Sequence, residues 1–128
     1  MKLKWHPLAI EDLSRTVDYC RERFGTLVSI QVREKIRHSA KLLKTHPLLG
    51  PIEPKLQGCT RLEYRGLVAD AHTKIIYTVH KEYVYIHLLW DVRKDDTYLP
   101  QAAVHRYHFS EEEQHWMVNE ESQEEYEK

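Results

Sequence analysis

Two β-type runs, HTKIIYTVH and EYVYIHLLW, stand almost back to back between His72 and Trp90. Their polar and apolar positions separate cleanly if Lys81 and Glu82 form a two-residue turn that sets His80 opposite Tyr83. Side chains alternate across a strand, so a slip of one residue would mix the two sets. In this register one face carries Ile75, Tyr77, Val79, Val84, Ile86, Leu88 and Trp90 and is built to be covered. The other carries Lys74, Ile76, Thr78, His80, Tyr83, Tyr85, His87 and Leu89 and is expected to stay open, with the basic pair Arg93-Lys94 just beyond it. The predicted fold is organised around this antiparallel hairpin.

Upstream, Lys2-Leu3-Lys4-Trp5 alternates as a short first strand. Pro7 suits the first turn of a helix, where its missing N–H is no loss. Ile10, Leu13, Val17, Cys20 and Phe24 then recur at helical spacing, with Gly25 placed as a C-terminal cap. Thr26 can cap a second helix whose seam is Val28, Val32, Ile36, Ala40 and Leu43. Each seam needs a surface to cover it, and the apolar face of the hairpin is the one available. The stretch HPLLGPIEPKLQG (46–58) reads as a loop stiffened by its prolines. Thr60 to Arg65 alternates strictly, which predicts a strand with Leu62 and Tyr64 inward and Arg61, Glu63 and Arg65 outward. The expected order is β-α-α-β-β-β in an α+β fold. An irregular segment and a last helix follow, that helix capped by Ser110 with Glu113 and anchored by Trp116.

At 128 residues the chain is large enough for one core without staples. Cys20 and Cys59 fit no metal or redox spacing and are expected as reduced thiols. No apolar run approaches a membrane span, and the start lacks the pattern of a signal peptide, so a cytoplasmic protein is expected. The net charge of −1 conceals an asymmetry. Phe109 to Lys128 holds eight glutamates against one lysine, a net −7, which leaves +6 on residues 1–108. A basic body attracts nucleic acid, and an acidic tail can compete for that surface or meet a partner.

The opening KLKWHPLAIEDL, the THPLLG loop, KLQG, TRLEYR, TKIIYTV and LLWDVRKDDTYL, in that order, resemble the RelE/ParE superfamily of type II toxin–antitoxin toxins. The similarity spans residues 1–100 and rests on many weak matches in sequence rather than one signature; it implies one toxin domain over 1–100 and leaves 101–128 as an acidic, partly helical extension. It implies a sheet packed on a helical hairpin and an antitoxin partner that wraps the toxin. It also implies one of two activities: cleavage of messenger RNA in the ribosomal A site, or poisoning of DNA gyrase. A third outcome is a binding module of the same fold without catalysis. No cofactor or metal is implied.

Cleaving RNA through its 2′-hydroxyl requires removing that proton, stabilising the phosphorane and protonating the leaving oxygen. By resemblance, Arg61 and Arg65 match basic residues of the second strand, Lys74 an arginine of the third, Arg93 the basic residue after the fourth, and Tyr98 the terminal tyrosine. Glu63 stands where RelE has lysine; it can serve as a base, or simply form an ion pair on a solvated face. His87 is the other acid–base candidate, with a packed surface histidine as the plain alternative. Tyr83 and Tyr85 beside Lys74 resemble a stacking platform, although tyrosines are also ordinary strand formers. RYHF at 106–109 resembles the C-terminal RYHY of one RelE-like enzyme but lies well past the equivalent point. The basic face ranks ribosome-dependent cleavage first and gyrase second, whereas WHPLAIEDL with its helix ending in FG is more like ParE.

Overall fold

The computed structural model describes residues 1–112 and 118–119. Its strands are β1 (Lys2–Trp5), β2 (Arg65–Val68), β3 (Thr73–Val79), β4 (Tyr83–Asp91) and β5 (Val118–Asn119). Its helices are α1 (Pro7–Phe24), α2 (Thr26–Leu42) and α3 (Leu99–Glu112). The strands lie side by side in the order β2-β3-β4-β1-β5. β1 runs parallel to β4, and the remaining pairs are antiparallel.

His6 starts α1 from an extended backbone, its Nδ1 accepting the Leu8 N–H at 3.0 Å. At the far end Gly25 takes φ 92°, where a side chain would be strained, and its N–H returns to the Arg21 carbonyl at 3.0 Å. One residue thus serves as the C-cap of α1 and the N-cap of α2. Thr26 is the first residue of α2 and makes no side-chain cap, contrary to expectation. The hairpin packs Ile10, Leu13, Val17, Ile36 and Ala40 onto Leu3, Trp5, Ile75, Tyr77, Val84 and Ile86.

The β3–β4 register begins as the alternation requires. His80 N–H meets the Tyr83 carbonyl at 2.8 Å, and Val79, Thr78 and Tyr77 face Val84, Tyr85 and Ile86. Then Ile76 faces Leu88, which leaves His87 as the extra residue of a β-bulge. Everything after it changes face. Leu89 joins the helical side, while Leu88 and Trp90, expected there, turn to the opposite one with Ile76. Leaving Leu88 and Ile76 wet would forgo about 1.5–3 kcal/mol each. A second core accordingly covers the face predicted to be open, built from Leu56, Tyr64, Leu99 and Ala103.

Two further expectations are corrected. β2 starts at Arg65, because Thr60 to Tyr64 is occupied by a local turn in which Thr60 Oγ accepts the Leu62 N–H at 3.1 Å. The final helix begins at Leu99, not Ser110, after a 3-10 turn at Asp96–Tyr98 capped by the Asp95 carboxylate. Pro100 falls in its first turn, where proline is tolerated. Glu113 and Trp116 lie outside the described residues. Of the tail past Glu112, Val118 and Asn119 are described, pairing with Trp5 and Lys4 at the sheet edge.

Candidate functional site

The residues expected to form one basic site are dispersed. Arg61 and Glu63 are exposed on the turn before β2. Arg65 is mostly buried and donates to the Gly50 carbonyl at 2.9 Å, with Glu63 4.0 Å away. Lys74 pairs with Glu53 at 3.2 Å and so ties the proline loop to β3. Arg93 clamps Asp91 through two contacts at 2.9 and 3.0 Å, which hold the Asp91 carboxyl below its ordinary range. Tyr98 lies exposed in a separate cleft beside Trp90 and Lys94.

His87 is corrected outright. It is 1% exposed, sealed by the second core, and burial holds its ring neutral by driving the pKa far down. Tyr85 is buried with it. Tyr83 is stacked against His80 at 4.6 Å and has the Lys4 ammonium over its ring at 4.4 Å, so the platform is already occupied.

A polar cluster that sequence reasoning missed lies where β4 outruns β1. Asp12 of α1 accepts the Leu89 N–H at 3.0 Å, a backbone donor past the end of the β1–β4 pairing at Trp5 and Ile86. Arg106 of α3 grips both oxygens of Asp12 at 3.0 and 3.1 Å and donates to the His87 carbonyl at 2.9 Å. His6 Nε2 lies 3.2 Å from the Arg106 carbonyl. Because His6 Nδ1 accepts from Leu8, Nε2 carries the proton and donates. Burial first, then the Arg106 charge, pushes the His6 pKa down to about 4. This cluster fastens α3 over the second core. Its signal in the sequence is Arg106 of RYHF, which lies well past the point equivalent to the RelE-like motif it resembles.

A second concavity lies elsewhere. The distal halves of α1 and α2 overhang the strand ends and leave a groove of about 670 Å³. Tyr19, Cys20, Phe24, Val28 and Val32 line it from the helices, and Leu89 and Trp90 from β4. Arg15, Lys35, Arg93 and Lys94 supply cations at its sides, and Asp70 and Asp91 stand among them. Phe24 is 62% exposed and Tyr19 41%. Expected to be core, Phe24 instead presents an apolar surface. Among the described residues no group of three His, Cys, Asp or Glu side chains is placed to hold a metal.

Comparison with known proteins adds the family context. The family model described as "ParE toxin of type II toxin-antitoxin system, parDE" matches residues 3–95. A solved chain of the chromosomal ParDE TA system from P. aeruginosa superposes with TM-score 0.61 at 20% identity, over 72% of this chain and 96% of that one. No curated protein matches the sequence. The family match ends at Asp95, so α3 with Arg106 falls outside it while Asp12 and His6 fall within.

Proposed function

The chain belongs to the ParE toxin family of type II toxin–antitoxin systems, and from that premise we propose that it poisons DNA gyrase rather than cleaving messenger RNA. The observation that carries this reading is the closed second face of the sheet. Ribonuclease chemistry needs a base, an acid and cations converging on one phosphate within hydrogen-bond reach. Here His87 is sealed beneath α3, Arg65 and Lys74 are engaged by Gly50 and Glu53, and Arg93 and Tyr98 line different clefts. This reverses the order in which the sequence ranked the two activities.

A cognate antitoxin is the partner proposed to hold the toxin inactive, and the helix-lined groove is where it docks. An apolar floor with cations along the sides suits an amphipathic helix with an acidic flank. Exposed apolar side chains gathered in one concavity mark an interaction site rather than a random surface.

The test pairs two assays on purified full-length protein. With gyrase, ATP and relaxed plasmid, supercoiling should fall and linear DNA accumulate after detergent and protease treatment. With programmed ribosomes, primer extension should find no A-site cuts. A-site cuts that vanish in Arg93→Ala would overturn the proposal, and silence in both assays would favour a binding module without activity.

A further inference from the structure

A hydrogen-bonded chain runs from the β3–β4 turn into the second core. Thr78 Oγ lies 2.7 Å from His80 Nε2 and 2.8 Å from His87 Nε2. His80 is partly exposed, whereas His87 is buried and its Nδ1 has no hydrogen-bond partner among the described residues. A hydroxyl carries one proton, so Thr78 donates to only one of the two rings and accepts from the other.

With both rings neutral, two arrangements satisfy both contacts. In the first, Thr78 donates to His80, and His87 holds its proton on Nε2 and donates to Thr78. In the second, His80 donates to Thr78, Thr78 donates to His87 Nε2, and the His87 proton sits on Nδ1. A protonated His80 has no lone pair, so it leaves only the second arrangement.

We propose that His80, Thr78 and His87 form a relay in which protonation of the surface imidazole sets the tautomer of the buried one. The proton that enters stays on His80. His87 is held neutral by its burial and by the permanent charge of Arg106, and a charged His80 only strengthens this. On the surface side, His80 faces the Tyr83 ring and the charge of Lys4, and burial with that charge lowers its pKa. In the charged state the His87 Nδ1–H becomes a buried donor, in a ring whose centroid lies 5.1 and 4.6 Å from those of Tyr64 and Tyr85. His87 is also the bulge residue whose carbonyl binds Arg106. The relay therefore links the hairpin end of the sheet to the anchor of α3.

The experiment follows the ring nitrogens of the ¹⁵N-labelled full-length protein by long-range proton–nitrogen NMR from about pH 8 to about pH 5, across the ordinary histidine range. The His87 Nδ1 and Nε2 signals should exchange protonated and bare signatures along the His80 titration curve. In Thr78→Val, His80 should still titrate while His87 no longer follows. If that variant does not fold, His80→Asn serves, and its His87 signals should be independent of pH. Constant His87 signals through the His80 titration of the wild type would overturn the relay, and so would an undiminished response in Thr78→Val.

Discussion

Arg106 on α3 holds Asp12 on α1 by both guanidinium nitrogens, at 3.0 and 3.1 Å, and so joins two helices that lie on opposite faces of the sheet. The side chains are only 13% and 11% exposed, so the pair is poorly screened. Without Arg106 the Asp12 carboxylate keeps only the exposed Arg15 guanidinium, 2.9 Å away, as counter-charge, and the His87 carbonyl loses its donor, so Arg106→Ala should destabilise the protein by about 1–3 kcal/mol. Replacing both, as Asp12→Leu with Arg106→Met, should be much milder than the sum of the single changes. Urea unfolding of Arg106→Ala, Asp12→Leu, Arg106→Met and the double variant measures this; additive losses would count against a coupled pair.

Stability should fall with acid in a window set by His6. Its folded pKa of about 4 lies below the ordinary 6.5, so the unfolded chain takes up the proton first as pH drops. The contribution is full above about pH 6.5 and is lost towards about pH 4 at roughly 1.4 kcal/mol per pH unit. His87, also depressed, acts with the same sign. Between about pH 7 and about pH 5, His6→Asn should lose clearly less stability in urea melts than the wild type. Equal losses would remove His6 from the account.

The proline loop is latched by one hydroxyl. Tyr77 Oη donates to the Pro47 carbonyl at 2.8 Å and accepts the Gly50 N–H at 2.9 Å. Tyr77→Phe strands both backbone groups and should lower stability by about 1–3 kcal/mol. Gly50→Ala should be at least as harmful, since its Cβ would stand 2.7 Å from the Gly66 carbonyl oxygen, a backbone atom that cannot swing aside. Thermal denaturation of the two variants measures both effects.

Glu63 separates the two activities. It is exposed and 4.0 Å from Arg65, so Glu63→Ala should leave fold and toxicity unchanged. A tenfold or larger loss of toxicity, measured as colony survival on induction, would bring the ribonuclease reading back.

Phe24 should report on antitoxin docking. Being 62% exposed at the rim of the helical groove, it can be replaced by aspartate without harm to the core. Phe24→Asp should weaken antitoxin binding at least tenfold in calorimetry while the melting temperature stays put. Unchanged affinity would move the interface elsewhere.

Much of the architecture was legible because it depends on local periodicity. The segregation of Ile75, Tyr77, Val84 and Ile86 from Thr78, His80, Tyr83 and Tyr85 gave the hairpin register, and the structure keeps it as far as Ile86. The candidate site was much less legible. Arg61, Glu63, Arg65, Lys74, His87, Arg93 and Tyr98 were grouped on the assumption of one open face, and that face is closed. A warning was present: Leu88-Leu89-Trp90 is a continuous apolar run, which signals burial on both sides of a strand.

By itself the sequence determined the two helices, the glycine between them, the order β-α-α-β-β-β along the chain and the pairing near the turn. Each of these follows from neighbours a few residues apart. Only the tertiary structure decided that His87 bulges, that Leu88 and Trp90 therefore change sides, and that α3 closes over them with Arg106 on Asp12. A bulge shifts the phase of everything after it, and whether it forms depends on whether distant groups can bury the side chains it turns outward. Leu56, Tyr64, Leu99 and Ala103 do so here, and no local pattern around His87 announces them.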